Sequence, residues 1–178
     1  MDSINQNQTE QNHQNLDSVS AIKKIKELVE IAKTGFLCTH PSDGESNGTR
    51  PMTVQEVDEQ GTIWFLVAND SYTYNDISIN SKVKLYFQGS AHSDFLFLEG
   101  TAILSADKNR IKELWNPLLK TWFTEGEDDP RIAIIRVSPE TGYYWDNKHG
   151  NVVAGIKMMI GAAVGKTLDD SIEGGLKV

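Results

Sequence analysis

Residues 63–67 read Ile63-Trp64-Phe65-Leu66-Val67. Successive side chains of a strand point to opposite faces, so this run is apolar on both. A strand with one face in water alternates apolar with polar. One that is apolar throughout is covered on two sides, as in a barrel wall packed by helices or by a partner. Upstream, Glu59-Gln60-Gly61 turns the chain into this strand from Thr49–Asp58. That segment comes after Phe36–His40, across the turn-rich Pro41-Ser42-Asp43-Gly44-Glu45-Ser46-Asn47-Gly48. The three runs predict an antiparallel meander. Downstream, Lys82–Gln88 and Phe95–Ser105 read as strands joined by the polar loop 89–94. Ile132–Val137 and Gly142–Trp145 read as a final hairpin around Pro139-Glu140-Thr141.

Helices fill the intervals. Val19, Ile22, Ile25, Leu28, Val29 and Ala32 recur at three- and four-residue spacing, which is one helix face. Asp17 or Ser18 is placed to cap this helix and Gly35 to end it. Residues 72–80 predict a short helix, 107–123 a helical pair with Pro117 in a first turn, and 152–164 a last helix. Seven short strands with inserted helices give a mainly β fold of the α+β type: a closed or partly closed antiparallel β-barrel with peripheral helices. One domain is expected over residues 18–164. Eight of the first sixteen residues are Asn or Gln, so residues 1–17 read as a disordered tail. Residues 165–178, with three glycines, read as a flexible C-terminal tail.

The chain has 178 residues, with 17 Lys plus Arg against 25 Asp plus Glu and a net charge of −8. This balance excludes a nonspecific nucleic-acid binder, which needs a basic footprint. Cys38 is the only cysteine, so no intrachain disulfide or cysteine-based metal site can form. The first residues lack the pattern of a signal peptide, and no apolar run is long enough to span a membrane. The expected compartment is the cytoplasm.

Most chemical motifs are weak. Gly161-Ala162-Ala163-Val164-Gly165-Lys166-Thr167 imitates a phosphate loop but has three residues between its glycines instead of four, and an apolar helix rather than a strand precedes it. Cys38 in an apolar strand reads as an inert thiol. His40, His92 and His149 lack metal-ligand spacing, so no metal is expected. Trp115 and Trp122, seven residues apart, would share a helix face, and for at least one of them a core anchor fits better than a cofactor contact. Arg50 stands out. Residues 34–81 hold seven carboxylates against this one basic side chain. Arg50 precedes Pro51, whose missing N–H places the strand at an edge or a bulge. A flat ligand enters a sheet at such a break, although an ordinary surface arginine fits the local pattern as well.

Taken together, these segments resemble the general stress protein branch of the pyridoxamine 5′-phosphate oxidase-like proteins. Arg50-Pro51-Met52, Gln55-Glu56-Val57-Asp58 and Gly61-Thr62-Ile63-Trp64-Phe65 carry the first half of the resemblance. Glu113-Leu114-Trp115-Asn116-Pro117, Trp122-Phe123, Glu125-Gly126 and Arg136-Val137-Ser138-Pro139-Glu140 leading to Tyr144-Trp145 carry the second. It covers about residues 22–160. The resemblance implies the FMN-binding split β-barrel, with a homodimer and two cofactor sites at the subunit interface. It implies that Thr49, Arg50, Pro51 and Met52 line the flavin, with Arg50 reaching the phosphate or ribityl chain. Trp64, Phe65, Leu66 and Val67 would run beside the isoalloxazine ring, giving backbone contacts to its polar edge. Ser71 and the start of the next helix would meet the phosphate, and Trp145 would pack on the cofactor from the partner subunit.

The chain departs from the family pattern in two places. Thr73 stands where family members often carry a lysine. A hydrogen bond to a charged group contributes roughly 1.5–3 kcal/mol, so its loss weakens FMN binding about tenfold unless neighbouring hydroxyls, Lys82 or Lys84 compensate. The chain also has no arginine beyond Arg136, where true oxidases complete the substrate site. The expectation is therefore an FMN-binding protein of the general stress type, with flavin-dependent oxidoreductase chemistry on an unidentified substrate and no pyridoxamine 5′-phosphate oxidation. Two alternatives stand beside it: a non-enzymatic flavin-binding or sensing module, and a dimeric barrel that has lost its cofactor.

Overall fold

The computed structural model describes residues 11–41, 47–164 and 170–178. In chain order the elements are β1 (Leu16–Asp17), α1 (Ser18–Ala32), β2 (Thr34–Cys38), β3 (Thr49–Thr53), β4 (Glu56–Val57), β5 (Ile63–Ala68) and α2 (Tyr72–Ile79). Then come β6 (Lys82–Gln88), β7 (Phe95–Ser105), α3 (Lys108–Leu114), β8 (Ile132–Asn147), α4 (Asn151–Val164) and β9 (Ser171–Lys177). Two 3-10 turns, Pro117–Thr121 and Gly126–Asp128, lie between α3 and β8. No described helix is long and apolar enough to cross a membrane.

All nine strands belong to one sheet, ordered β1-β9-β8-β7-β6-β2-β3, with β5 also on β8 and β4 on β5. The fold is the mixed, strand-dominated split barrel expected from the sequence. The core confirms its curl: Leu37, Met52, Val57, Phe65, Leu85, Leu98, Ile135 and Tyr144, from seven different strands, meet in one buried cluster. Helix α1 packs on β4, β6, β7 and β9 through Ala21, Ile25, Leu28 and Val29, all at most 1% exposed. Each large side chain among them contributes about 1.5–3 kcal/mol of burial. Asp17 begins α1, with the Ser20 hydroxyl accepting from the Asp17 N–H at 3.2 Å.

Strand β5 shows why residues 63–67 are apolar on both faces. Ile63, Phe65 and Val67 enter the main core. Leu66 joins Ile111, Leu114, Phe123, Ile132 and Ile134 in a second cluster under α3, against which Trp64 packs.

Five sequence-based expectations are corrected. Lys33, not Gly35, ends α1: it takes the left-handed conformation (φ 59°) and its N–H bonds to Val29 O at 2.8 Å. Gly35 instead lies in β2, where a Cβ would sit 2.5 Å from the Phe87 ring. The segment Thr49–Asp58 is two strands, broken where Val54 N–H turns to Lys33 O and Gln55 N–H to Trp64 O. The barrel is not antiparallel throughout, because β1 runs parallel to β9.

The supposed tails are the fourth correction. Residues 171–177 are a full strand, paired with β8 from Thr141↔Lys177 to Asn147↔Ser171. Residues 12–17 run beside it, with Gln14 N–H bonding to Glu173 O and the Tyr144 hydroxyl donating to Gln14 O. A glycine-rich stretch suits this place because Gln14 passes too close for a side chain at Gly174. Residues 1–10 and 165–169 lie outside the described residues.

The fifth is the hairpin at 139–141, which does not exist: β8 runs through it unbroken for 16 residues. Its partner register steps from Gly100↔Pro139 to Glu99↔Thr141, leaving Glu140 as an extra residue. This bulge absorbs the proline without ending the strand. Glu140 is fastened across β7 to Lys82 Nζ at 2.7 Å and the Thr101 hydroxyl at 2.5 Å. Gly100 makes the step possible, since a Cβ there would collide with the Ser138 carbonyl oxygen and stand 3.0 Å from Pro139 Cα. Gly100→Ala is therefore expected to destabilise the fold by about 1–3 kcal/mol, read as a lowered midpoint in chemical denaturation. A midpoint equal to wild type would contradict this account of the bulge.

Candidate functional site

Strand β3 hydrogen-bonds to β2 on one edge, from Thr34↔Thr53 to Cys38↔Thr49. Beyond its other edge lies a cavity of about 470 Å³, bounded on the far side by β5. This is the split in the barrel. Arg50, Pro51 and Met52 line it from β3, Leu66, Val67 and Ala68 from β5, and Ser71 from the start of α2. Its size falls in the range of small-molecule sites, and its make-up, apolar with a few convergent polar groups, is typical of them.

The cation is available. Of the four arginines, Arg110 is held by Glu56 at 2.9 Å and Glu113 at 2.8 Å, and Arg131 by Asp129 at 2.8 Å. Arg50 has no ion pair or side-chain hydrogen bond among the described residues, and it alone of the four faces this cavity. Ser71 caps α2, its hydroxyl accepting from Tyr74 N–H at 3.2 Å. The first N–H groups of a helix have no intrahelical acceptor, and they favour an anion there. Lys82 and Lys84, the expected substitutes for a missing lysine, are engaged with Glu140 and Glu99 and do not line the cavity.

The structure thus gathers Arg50, Pro51, Met52, Leu66, Val67 and Ser71. The side chains of the other expected site residues do not line this cavity. Thr49 sits past the cavity, its hydroxyl 3.6 Å from Cys38 Sγ. The Phe65 side chain is fully buried in the core. Trp64 faces α3, where Arg110 stacks 4.3 Å over its ring and Asp58 accepts from its Nε1 at 3.0 Å. Thr73 is buried in α2. Trp145 borders a second, larger cavity of about 940 Å³ with Phe36, Tyr86, Phe95, Phe97 and His92. Pro51 lines both cavities. The phosphate-loop imitation does not come after a strand: α4 runs to Val164, and residues 165–169 lie outside the described residues.

Sequence reasoning missed part of the wall: Leu119, Trp122 and Phe123 border the cavity from outside the sheet. The seven-residue spacing suggested that Trp115 and Trp122 share a helix face. The helix stops at Leu114, and Pro117 starts a 3-10 turn. Trp115 therefore packs inward, 6.5 Å from the Phe123 ring, while Trp122 is 64% exposed. The Asn116-Pro117 break was the available signal.

Trp122 is braced by the Asp129–Arg131 pair, since Arg131 Nη2 also donates to Trp122 O at 3.4 Å. The hydrogen bonds from Arg131 lower the Asp129 carboxyl to about 2. A carboxylate held below its unfolded value stabilises the fold fully above about pH 4, and that contribution disappears as pH falls towards 2. Arg131→Gln is therefore expected to show a shallower loss of stability over this interval than wild type, in denaturation curves taken at several pH values. Parallel curves would contradict the role of the pair.

Known proteins offer three comparisons. The profile of the family described as pyridoxamine 5′-phosphate oxidase like matches residues 20–169. The protein bli-3 of Neurospora crassa is 26% identical over an alignment of 122 residues, covering 64% of this chain and 54% of that protein. The match thus spans about half the length of that curated relative. Among solved structures, a general stress protein 26 from Jannaschia sp. CCS1 superposes with a TM-score of 0.70 at 19% identity, over 90% of this chain and 100% of that one. The general stress FMN/FAD binding protein of Xanthomonas citri gives a TM-score of 0.57 at 27% identity, over 68% and 84%.

Proposed function

The chain belongs to the pyridoxamine 5′-phosphate oxidase-like family, and on that premise we propose that it holds FMN in the cleft between β3 and β5. One observation carries the proposal: an arginine with no ion pair or side-chain hydrogen bond among the described residues, at the edge of a largely apolar cavity. A flavin has a flat apolar ring system and an anionic tail. Pro51, Met52, Leu66, Val67 and Ala68 offer a surface for the ring. Arg50 and the start of α2 at Ser71 offer charge-assisted donors for the phosphate. A bound flavin would supply hydride chemistry, with the protein contributing orientation and electrostatics.

Trp145 borders the other cavity, a position that suits contact with the cofactor of a second subunit. A homodimer pairing the two cavities is part of the proposal. The substrate would not be pyridoxamine 5′-phosphate, because the cleft offers one unpaired arginine and a second phosphate needs its own partners. The general stress names of the relatives suggest the same role here.

The residues lining the cleft include no Asp, Glu, His, Lys or Cys, so oxidoreductase chemistry there would be the flavin's own, and a non-enzymatic flavin-binding module would use the same pocket. Steady-state oxidation of NADH or NADPH with an added acceptor separates the two.

FMN titrated into the purified protein is expected to bind with flavin absorption bands shifted from those of the free cofactor. Arg50→Ala should weaken binding about tenfold or more. Absence of binding by wild type at high FMN would leave only the cofactor-less barrel. Unchanged affinity in Arg50→Ala would remove Arg50 from the site, and a monomer by light scattering would remove the shared one.

A further inference from the structure

The indole of Trp122 is out of place as a core residue. It is 64% exposed, yet it borders the cleft beside Leu119 and Phe123. Its backbone is fixed on every side. Its N–H bonds to Leu119 O at 2.9 Å, its carbonyl accepts from Arg131, and the next residue, Phe123, is buried against α3 with its own N–H on Leu119 O at 3.0 Å. The side chain, by contrast, makes no ring contact or hydrogen bond among the described residues. Leu118, earlier in the same turn, is 75% exposed and extends this apolar rim. A rigid mount holding a large uncovered aromatic ring at the mouth of an apolar cavity is how proteins present an anchor to a flat ligand.

We propose that Trp122 is the lid of the cleft: its indole covers the face of the bound ring system turned away from β3 and β5. This rests on the flavin reading and extends it to what the site admits. A nicotinamide must approach a flavin face to face to deliver hydride. An indole on the open face occupies that approach, so Trp122 is a specificity-determining residue that shields the cofactor from such donors. The turn that carries it belongs to neither wall of the split, so lid and pocket are built from separate parts of the chain.

The experiment is an FMN titration of the full-length protein and of the Trp122→Phe, Trp122→Ala and Arg50→Ala variants, monitored by flavin emission. Stacked indoles quench flavin emission by donating an electron to the excited ring. Wild type should therefore bind FMN with strongly quenched emission. Trp122→Ala should bind about tenfold more weakly and emit more brightly. Trp122→Phe should keep most of the affinity but recover emission, and it serves in place of the alanine variant if that one fails to fold. Reduction of the bound flavin by NADH should be faster in Trp122→Ala than in wild type. Affinity and emission unchanged in both Trp122 variants would overturn the lid. If Arg50→Ala still weakened binding in that case, the flavin site itself would stand. Failure of wild type to bind FMN would overturn both.

Discussion

A strand has two hydrogen-bonding edges, and β8 uses them for three neighbours. One edge is given to β7 from Ile134 to Trp145. The other is divided, with Ile132–Val137 taken by β5 and Thr141–Asn147 by β9. The division falls at the Pro139–Glu140 bulge, where the strand changes direction. A sheet that forks in this way cannot close as a plain cylinder. The β5 branch ends on the two-residue β4, and the other route around the sheet ends at β3. Strands β3 and β5 face one another without pairing, and the gap between them is the cleft. The candidate cleft is thus a by-product of how one strand distributes its hydrogen bonds.

The same geometry decides which elements could be read in advance. The α1 face was legible because Ile25, Leu28 and Val29 repeat at the helix period and are buried, although Ala21 joins them and Val19, expected on that face, is 80% exposed. Residues 63–67 were legible because covering both faces of a strand leaves no room for polar side chains. The continuity of β8 was hidden because a proline with Glu and Thr after it looks like a turn. Only the opposing Gly100, some forty residues away, turns it into a bulge. Strand β9 was hidden for a related reason. Ser171-Ile172-Glu173-Gly174-Gly175 lacks the bulky residues that mark a strand, since it lies under Gln14 and Asn15, with Gly175 N–H bonded to Asn15 Oδ1 at 2.8 Å.

The site was legible in a different measure. Arg50 could be singled out from composition alone, as the one basic residue in an acidic stretch, and its freedom from partners agrees with that reading. The expectation for 64–67 treated the strand as one ribbon beside a ligand. The structure brings Leu66, Val67 and Ala68 to the cavity, while the side chains of Phe65 and Trp64 go to the core and to Arg110 and Asp58. Trp122 was not set apart from Trp115 because helix spacing was applied across a proline, although the helix ends at Leu114.

Pro51 belongs to both cavities. It is exposed and borders both, and a pyrrolidine has almost no torsional freedom with which to yield. A substitution at this one position therefore alters the lining of two chambers at once, so neither can be reshaped there without the other.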